Sequence, residues 1–446
     1  REVKLSAADL ASLLKSLPAN SVQKVEILRN PSAKYDAAST GGIVNIVLKK
    51  GVKLGLNGSV NLAHFQGTYS TSTGGFNLNN NKNKTNTYLS YQFTKRNNFE
   101  QLNSDRSIGS DSSFVRQQSY TTYPGANHYV SFGLDQEINP QWSWGYDGRI
   151  SANQNKSFAT NLIDALKAQG LDTLGRTNSF ANNSGPSVYW GNTFYSKYKI
   201  DSLGSEWSSS LDVNLFNSRT NQDYGSDVTF PISRLVNGDG QTKVNKWSFQ
   251  LQSDLVYKLK HQYTLESGVK WNLASSRNNA EYFLTESGVR RSDSFQTSRF
   301  RYTENIAAWY VQLSKTVGKF TVKPGGRVEY TNIEGKQLFP GDTSFRLNRV
   351  DFFPYIYLRH PIMKLFGFQL VGNLIARRSI VRPYYEALNP YRRYIDPLLF
   401  DVGNPALQPQ FTNNYEFNIM ADQFPVFSVG LNDMKNIFTN VTYQDP

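Results

Sequence analysis

The chain of 446 residues contains no cysteine, which removes disulfides, thiolate metal sites and cysteine nucleophiles from consideration. A cysteine-free chain is also compatible with passage through an oxidising compartment. Long hydrophobic runs are missing too: no uninterrupted apolar stretch approaches the ~20 residues that a transmembrane helix needs. A helical membrane protein is thereby excluded. Histidine is scarce, with four residues (His64, His128, His261 and His360) far apart in the chain. Neither an H-E-x-x-H, a G-x-S-x-G nor a Walker A spacing occurs. The sequence therefore predicts no enzyme, no cofactor and no metal site.

Low hydrophobicity does not exclude strands that cross a membrane. Hydrophobic residues make up 39% of the chain and the mean hydropathy is −0.51, yet a barrel strand hides only half its residues in lipid and gives a weak hydropathy signal. The net charge of +13 raises the question of nucleic acid. Lys and Arg are scattered among Asn, Ser and Gln, however, without a basic helix or a stacking platform, so no nucleic-acid partner is expected. Anionic lipid headgroups or a lumen open to acidic ligands account for the charge better.

What the chain does have is aromatic residues, 14% of the total with 26 Tyr and 28 Phe, set in a period-2 pattern. Trp142, Trp144, Tyr146 and Ile150 alternate with Ser143, Gly145, Asp147, Arg149 and Ser151. Trp207, Leu211, Val213 and Leu215 alternate with Ser208, Ser210, Asp212 and Asn214, and similar runs follow at Trp247–Leu259 and Tyr263–Leu273. Such segments are strands with one apolar and one polar face. They run to roughly ten residues or more, enough to cross a bilayer at a tilt, where typical globular strands have about five or six. Short turns are expected near Asn139-Pro140, Ser202 to Gly204, Lys260 to Gln262, Val317 to Lys319, His360 to Lys364 and Gln423 to Pro425. Long polar loops are expected near 103–126, 155–186, 217–244, 275–301, 332–348 and 380–409. Short connections on one side and long ones on the other fit a transmembrane antiparallel β-barrel. Trp142, Trp207, Tyr263, Phe320, Phe424 and Phe427, beside the short turns, fit an interfacial girdle. Carboxylates such as Asp147, Asp212, Asp254 and Glu266 then read as lumen groups, not as acid–base pairs.

Ahead of these strands, residues 20–50 have a different character. Residues 5–17 read as a short helix, with Ser6 as N-cap, Leu10, Leu13, Leu14 and Leu17 as its apolar stripe, and Pro18 as its stop. Val22 to Leu28 and Ile43 to Lys50 read as strands. Asn30-Pro31 breaks the first, and Gly41-Gly42 permits a tight turn before the second. The run NPSAKYDAASTGGIVNIVLKK resembles the end of the plug domain of TonB-dependent outer-membrane receptors in the version common in Bacteroidetes. The residues carrying the resemblance are Asn30, Pro31, Ser32, Ala33, Lys34, Tyr35, Gly41, Gly42 and Asn45.

A second block, from Arg377 to Ile419, resembles a loop of the same receptors through Arg382-Pro383, Leu388-Asn389-Pro390 and Gly403-Asn404-Pro405-Ala406-Leu407. The piece from Gly325 to Thr331 resembles one of their barrel strands, and its Arg327 and Glu329 share a face with Lys323. On the lipid side these charges would cost several kcal/mol at the midplane, so they are expected to face the lumen and hold the plug.

The resemblance implies an all-β fold: a large barrel, of ~22 strands when complete, with a small α+β plug fragment. Residues 1–50 would be the last part of the plug and 51–446 the barrel. About fifteen strands can be counted, so part of the wall is expected to be missing from the chain. The implied function is import of a ligand through a plugged barrel. Arg290, Arg291, Arg382, Tyr384, Tyr385, Arg392, Arg393 and Tyr394 are candidate ligand-capturing loop residues. Expected partners are outer-membrane lipids, periplasmic TonB, and a surface lipoprotein or other outer-membrane subunits. The alternative is a structural or assembly barrel without transport of its own.

Overall fold

Alternation at period 2 organises nearly all of the described residues. A computed structural model describes residues 22–28, 33–38, 43–48, 55–108, 113–167, 173–230, 232–286, 288–388, 393–396, 399–422 and 424–441. The expected helix at 5–17 lies outside the described residues. Two short strands come first, β1 (Val22–Leu28) and β2 (Ile43–Leu48), paired antiparallel with Leu28 opposite Ile43. The wall strands follow: β3 (Gly55–Gln66), β4 (Ser70–Lys82), β5 (Thr85–Ile108), β6 (Ser113–Glu137), β7 (Trp142–Leu166), β8 (Thr173–Lys199), β9 (Glu206–Phe230), β10 (Arg234–Lys258) and β11 (Tyr263–Glu286). After the short β12 (Val289–Ser292) come β13 (Ser298–Val317), β14 (Phe320–Phe339), β15 (Thr343–Leu365) and β16 (Phe368–Val381). One helical turn, α1 (Tyr385–Leu388), and a small ribbon of β17 (Arg393–Asp396) and β18 (Leu399–Asp401) lead to β19 (Gln410–Ala421) and β20 (Phe424–Lys435).

The wall is one antiparallel sheet in which each strand pairs with its sequence neighbour, from β3 at one end to β20 at the other, with β12 beside β11. Fifteen strands lie on this path. Nearest-neighbour hairpins of this kind are the topology of an up-and-down β-barrel wall.

Burial along the strands is inside out. On β14, Arg327, Glu329 and Thr331 are at most 2% exposed, whereas Val328 and Tyr330 between them are 36% and 37% exposed. On β13, Gln312 is 3% exposed while Trp309 is 52% exposed. A soluble domain buries its apolar groups and shows its polar ones to water; a wall with the reverse pattern has lipid as its outer solvent and a polar lumen as its inner one. The fold is an all-β transmembrane barrel wall.

The densest runs of outward apolar residues lie in the part of each strand next to the short turns. On β8 they run from Val188 through Trp190 and Phe194 to Tyr198, and on β10 from Trp247 through Leu251 to Tyr257. Both runs have about the length that crosses a bilayer. Beyond them the strands continue. β5 to β11 have 24 to 27 residues each, and β13 to β15 have 20 to 23.

This corrects the expectation of long loops. Most of 103–126, 155–186 and 217–244 is hairpin: pairing between β5 and β6 continues without a break from Thr85 opposite Gln136 to Ile108 opposite Ser113. Asn, Ser, Thr and Gln give these segments a loop-like composition, but alternating polar side chains suit a ribbon wetted on both faces. The wide connection at 382–409 does persist. A second correction concerns the turn expected at His360 to Lys364. β15 runs through it to Leu365, and the reversal falls at Phe366-Gly367, both at positive φ (49° and 87°), as a two-residue hairpin demands. Pro361 marks a register shift against β16, not a turn.

Candidate functional site

The inner face of the wall carries a buried ionic cluster built on β14. Because strand side chains alternate, Arg327, Glu329 and Thr331 all point inward. Antiparallel register sets Tyr310 of β13 beside Arg327, and Asp351 of β15 beside Glu329. Arg327 Nε donates to Glu329 Oε1 at 2.5 Å. Arg382, just past the end of β16, donates through one terminal nitrogen to Glu329 Oε2, and through the same nitrogen to Thr331 Oγ1 at 3.2 Å. One carboxylate thus holds two guanidiniums, all in a region nearly closed to water. Three strands from β14, Asp254 of β10 accepts a 2.5 Å hydrogen bond from Tyr310 Oη of β13. The tyrosine reaches it over Gly268 of β11, where an added Cβ would lie 2.7 Å from the ring and 2.6 Å from Asp254 Oδ1. The absent side chain is what lets that ring lie flat along the wall.

Residues 33–38 meet this cluster from inside. Lys34 Nζ lies 3.0 Å from Asp254 Oδ2. Asp36, itself buried, accepts from the Ala38 amide at 3.0 Å and faces an Arg382 terminal nitrogen at 3.8 Å. The Ile380 amide donates to the Ala37 carbonyl at 3.0 Å, and Ala37 packs on the buried group Phe353, Ile380 and Phe411. Lys34, Arg327 and Arg382 against Asp36, Asp254 and Glu329 make three cations and three carboxylates. A lumen seam of equal opposite charges is how buried charge is tolerated; removing one member leaves its partners uncompensated.

The other residues singled out from sequence are spread more widely. Lys323 shares the inward face of β14, but its Nζ sits 5.6 Å from the Tyr357 ring centroid instead of in the ion cluster. Tyr35 is exposed beside buried Ala33. Asn45 lies on β2, opposite Glu26. Asn30, Pro31, Ser32, Gly41, Gly42 and Arg392 lie outside the described residues. Arg290 and Arg291 sit on β12, far from any lumen contact. Arg290 forms a two-point pair with Asp239 at 3.0 and 2.8 Å and lies 3.6 Å over the Phe283 ring, while Arg291 pairs with Glu286 at 2.6 Å. Hydrogen bonding to Arg290 holds the Asp239 carboxyl below the ordinary carboxylate range. Tyr384 is exposed, Tyr385 lies on α1, and Arg393 and Tyr394 lie on β17. The Gly403–Leu407 motif makes a turn tied to α1, with the Asn404 amide donating to the Ala387 carbonyl at 2.7 Å.

Sequence reasoning placed Arg382 among loop residues awaiting a ligand, and the structure turns it inward to Glu329. It did not single out Asp36 or Tyr310. Asp254 was legible only as an inward carboxylate, because its partner Lys34 is 220 positions away in the chain. A depression of about 630 Å³ lies elsewhere, on the outward face of the projecting hairpins, lined by residues such as Gln101, Tyr120, Thr160 and Phe180.

Comparison with known proteins gives a family. The outer membrane protein beta-barrel family matches residues 198–446, more than half of the chain. No curated protein matches. Among solved structures, the chain is similar to the ferric yersiniabactin uptake receptor FyuA from Yersinia pestis, at 12% identity over 90% of this chain and 78% of that one, with a TM-score of 0.27. It is similar also to the β domain of the Bordetella autotransporter BrkA, at 14% identity over 66% and 92% of the two chains, with a TM-score of 0.20. The siderophore receptor PirA from Acinetobacter baumannii aligns at 12% identity over 91% and 81%, with a TM-score of 0.19.

Proposed function

We propose that this chain, which belongs to the outer membrane protein beta-barrel family and resides in the outer membrane, is a TonB-dependent receptor of the Bacteroidetes type. It is a non-enzymatic importer: extracellular segments take up a ligand, and a plug segment inside the barrel moves to let it pass. The observation that carries this reading is the contact of residues 33–38 with the inner wall through Lys34–Asp254, Arg382–Asp36 and the Ile380–Ala37 backbone bond. A wide barrel needs such a filling to keep the membrane closed. Polar links across the seam suit a plug that must shift. The links are few and directional, two ion pairs and one backbone hydrogen bond, so a shift of the segment has only these to exchange.

The test is to purify the native protein from outer membranes in mild detergent and identify what accompanies it. Capture by the periplasmic energy-coupling protein TonB, or co-purification of a surface lipoprotein, supports the importer. Stoichiometric co-purification with assembly or secretion subunits and no TonB capture overturns it in favour of a structural barrel.

A further inference from the structure

The outward face of the wall carries an unusual concentration of positive charge just beyond the apolar band. Antiparallel register brings Arg219, Lys243, Asn279 and Arg299 into one row across β9, β10, β11 and β13. The next row reads Asn245, Arg277, Arg301 and Lys336 across β10, β11, β13 and β14. Six of these eight positions are Lys or Arg and none is acidic. All six cationic side chains are exposed. Trp247, Trp271 and Trp309 lie on the same face of β10, β11 and β13, nearer the short turns than either row.

Three of the cross-strand neighbours are like-charged pairs: Arg219 opposite Lys243, Arg277 opposite Arg301, and Arg301 opposite Lys336. Directly opposed residues on one face have Cβ atoms about 5 Å apart, and like charges there destabilise the sheet. Two carboxylates border the patch: Glu334 on Lys336's own strand, with Oε1 3.5 Å from Lys336 Nζ, and Glu281, two positions beyond Asn279 on the same face of β11. Elsewhere the same protein opposes its exposed Arg residues to carboxylates, as in Arg116–Asp105, Arg176–Asp164 and Arg290–Asp239. A patch that forgoes this arrangement calls for a counter-ion from outside the chain.

We infer that this patch is a binding site for the phosphate groups of anionic lipid headgroups in the outer leaflet. Position selects that occupant. Short turns mark the periplasmic side of an outer-membrane barrel and long connections the extracellular side, so the cations sit where the outer leaflet's headgroups begin. On the turn side of the patch, past polar positions such as Thr303 and Asn305 on β13, the apolar band receives the acyl chains of the same lipids. Arg guanidiniums bind phosphate through two parallel hydrogen bonds, and a phosphate between two of them turns repulsion into a bridge. The site lies on the lipid face, so it stands or falls independently of the importer reading.

The test uses the full chain in phosphatidylcholine nanodiscs containing brominated phosphatidylglycerol or brominated phosphatidylcholine, with tryptophan quenching as readout. The expected result is that the anionic lipid is favoured several-fold around the protein. The triple variant Arg277→Gln, Arg301→Gln, Lys336→Gln should lose that preference. Sodium chloride and inorganic phosphate at equal ionic strength should weaken it equally, because a headgroup anchored by its chains is displaced by screening alone. A second readout separates binding from folding: in neutral detergent the triple variant should unfold at the same temperature as the parent or higher, since repulsion is relieved. Equal quenching by both lipids in the parent, or an undiminished preference in the triple variant, overturns the inference. Selective displacement by inorganic phosphate would show a free-phosphate site and overturn the headgroup assignment.

Discussion

The membrane-crossing and projecting parts of the same strands use the same chemical pair, arginine with a carboxylate, in opposite ways. In the crossing part, Arg327 and Glu329 are 2% and 0% exposed and face a lumen seam shared with Arg382. In the projecting part, Arg290 and Asp239 are 51% and 46% exposed, and Arg116 and Asp105 are 43% and 58% exposed. The outer faces differ as well: Trp, Leu, Val and Phe dominate against lipid below, and polar and cationic residues with scattered aromatics such as Phe158 and Phe180 stand above. Backbone pairing is continuous through both, so the sheet does not distinguish them. The solvent does. A buried pair cannot lose a member cheaply, because the remaining charge has no water to turn to, whereas an exposed pair is screened and contributes little.

The largest effect is therefore expected in the seam. Glu329→Ala strands Arg327 and Arg382 together in a dry site and should cost about 3–5 kcal/mol, read by denaturant unfolding in phospholipid vesicles. Glu329→Gln keeps hydrogen-bonding capacity and should fall short of that loss.

On the lipid face, Leu251→Arg should destabilise by about 2–4 kcal/mol in the same assay. Gln241→Arg, on the same strand and the same face but above the band, should change stability by no more than about 0.5 kcal/mol. Equal effects of the two would erase the boundary between the crossing and projecting parts.

Gly268→Ala tests the close approach in the wall. Its Cβ would sit 2.6 Å from both the Ser253 carbonyl and Asp254 Oδ1, so strain of about 1–3 kcal/mol is expected. Loosened contact between Tyr310 and Asp254 should show as a tyrosine accessible to acrylamide quenching.

The smallest effect belongs to the exposed pair. Arg290 lowers the Asp239 carboxyl in the folded chain, so this contribution is present above the unfolded value of ~3.9 and lost as pH falls through the lower folded value. Hydrogen-exchange protection at the projecting ends of β10 and β11, beside Asp239 and β12, should fall in acid in the parent, and the pH dependence should be blunted in Arg290→Ala.

How much of this could be read from the sequence follows from the range of each interaction. Alternation within a strand is local, so Trp207, Leu211 and Leu215 announced an outward face and Asp212 an inward one without further help. Arg327 and Glu329 could be assigned to the lumen for the same reason. The seam partners could not, since Asp36 meets Arg382 only after the whole wall has formed between them. The projecting hairpins look like loops in the sequence because their composition is that of loops. Their pairing partner, the next strand, supplies what composition lacks. Pro361 misled at shorter range: proline at a strand's irregularity looks the same in sequence as proline in a turn.

Residues 33–38 lie inside the barrel against the wall. Since the chain has no cysteine, the pair Ala37→Cys and Ile380→Cys can be introduced without background. The backbone bond between these residues brings their Cα atoms within the range a disulfide spans. Oxidation of the folded protein in native outer membranes should then link the two positions, giving a mobility change that reductant reverses and that neither single variant shows. Two thiols that stay unlinked, and that both react with a membrane-impermeant reagent, would contradict the account.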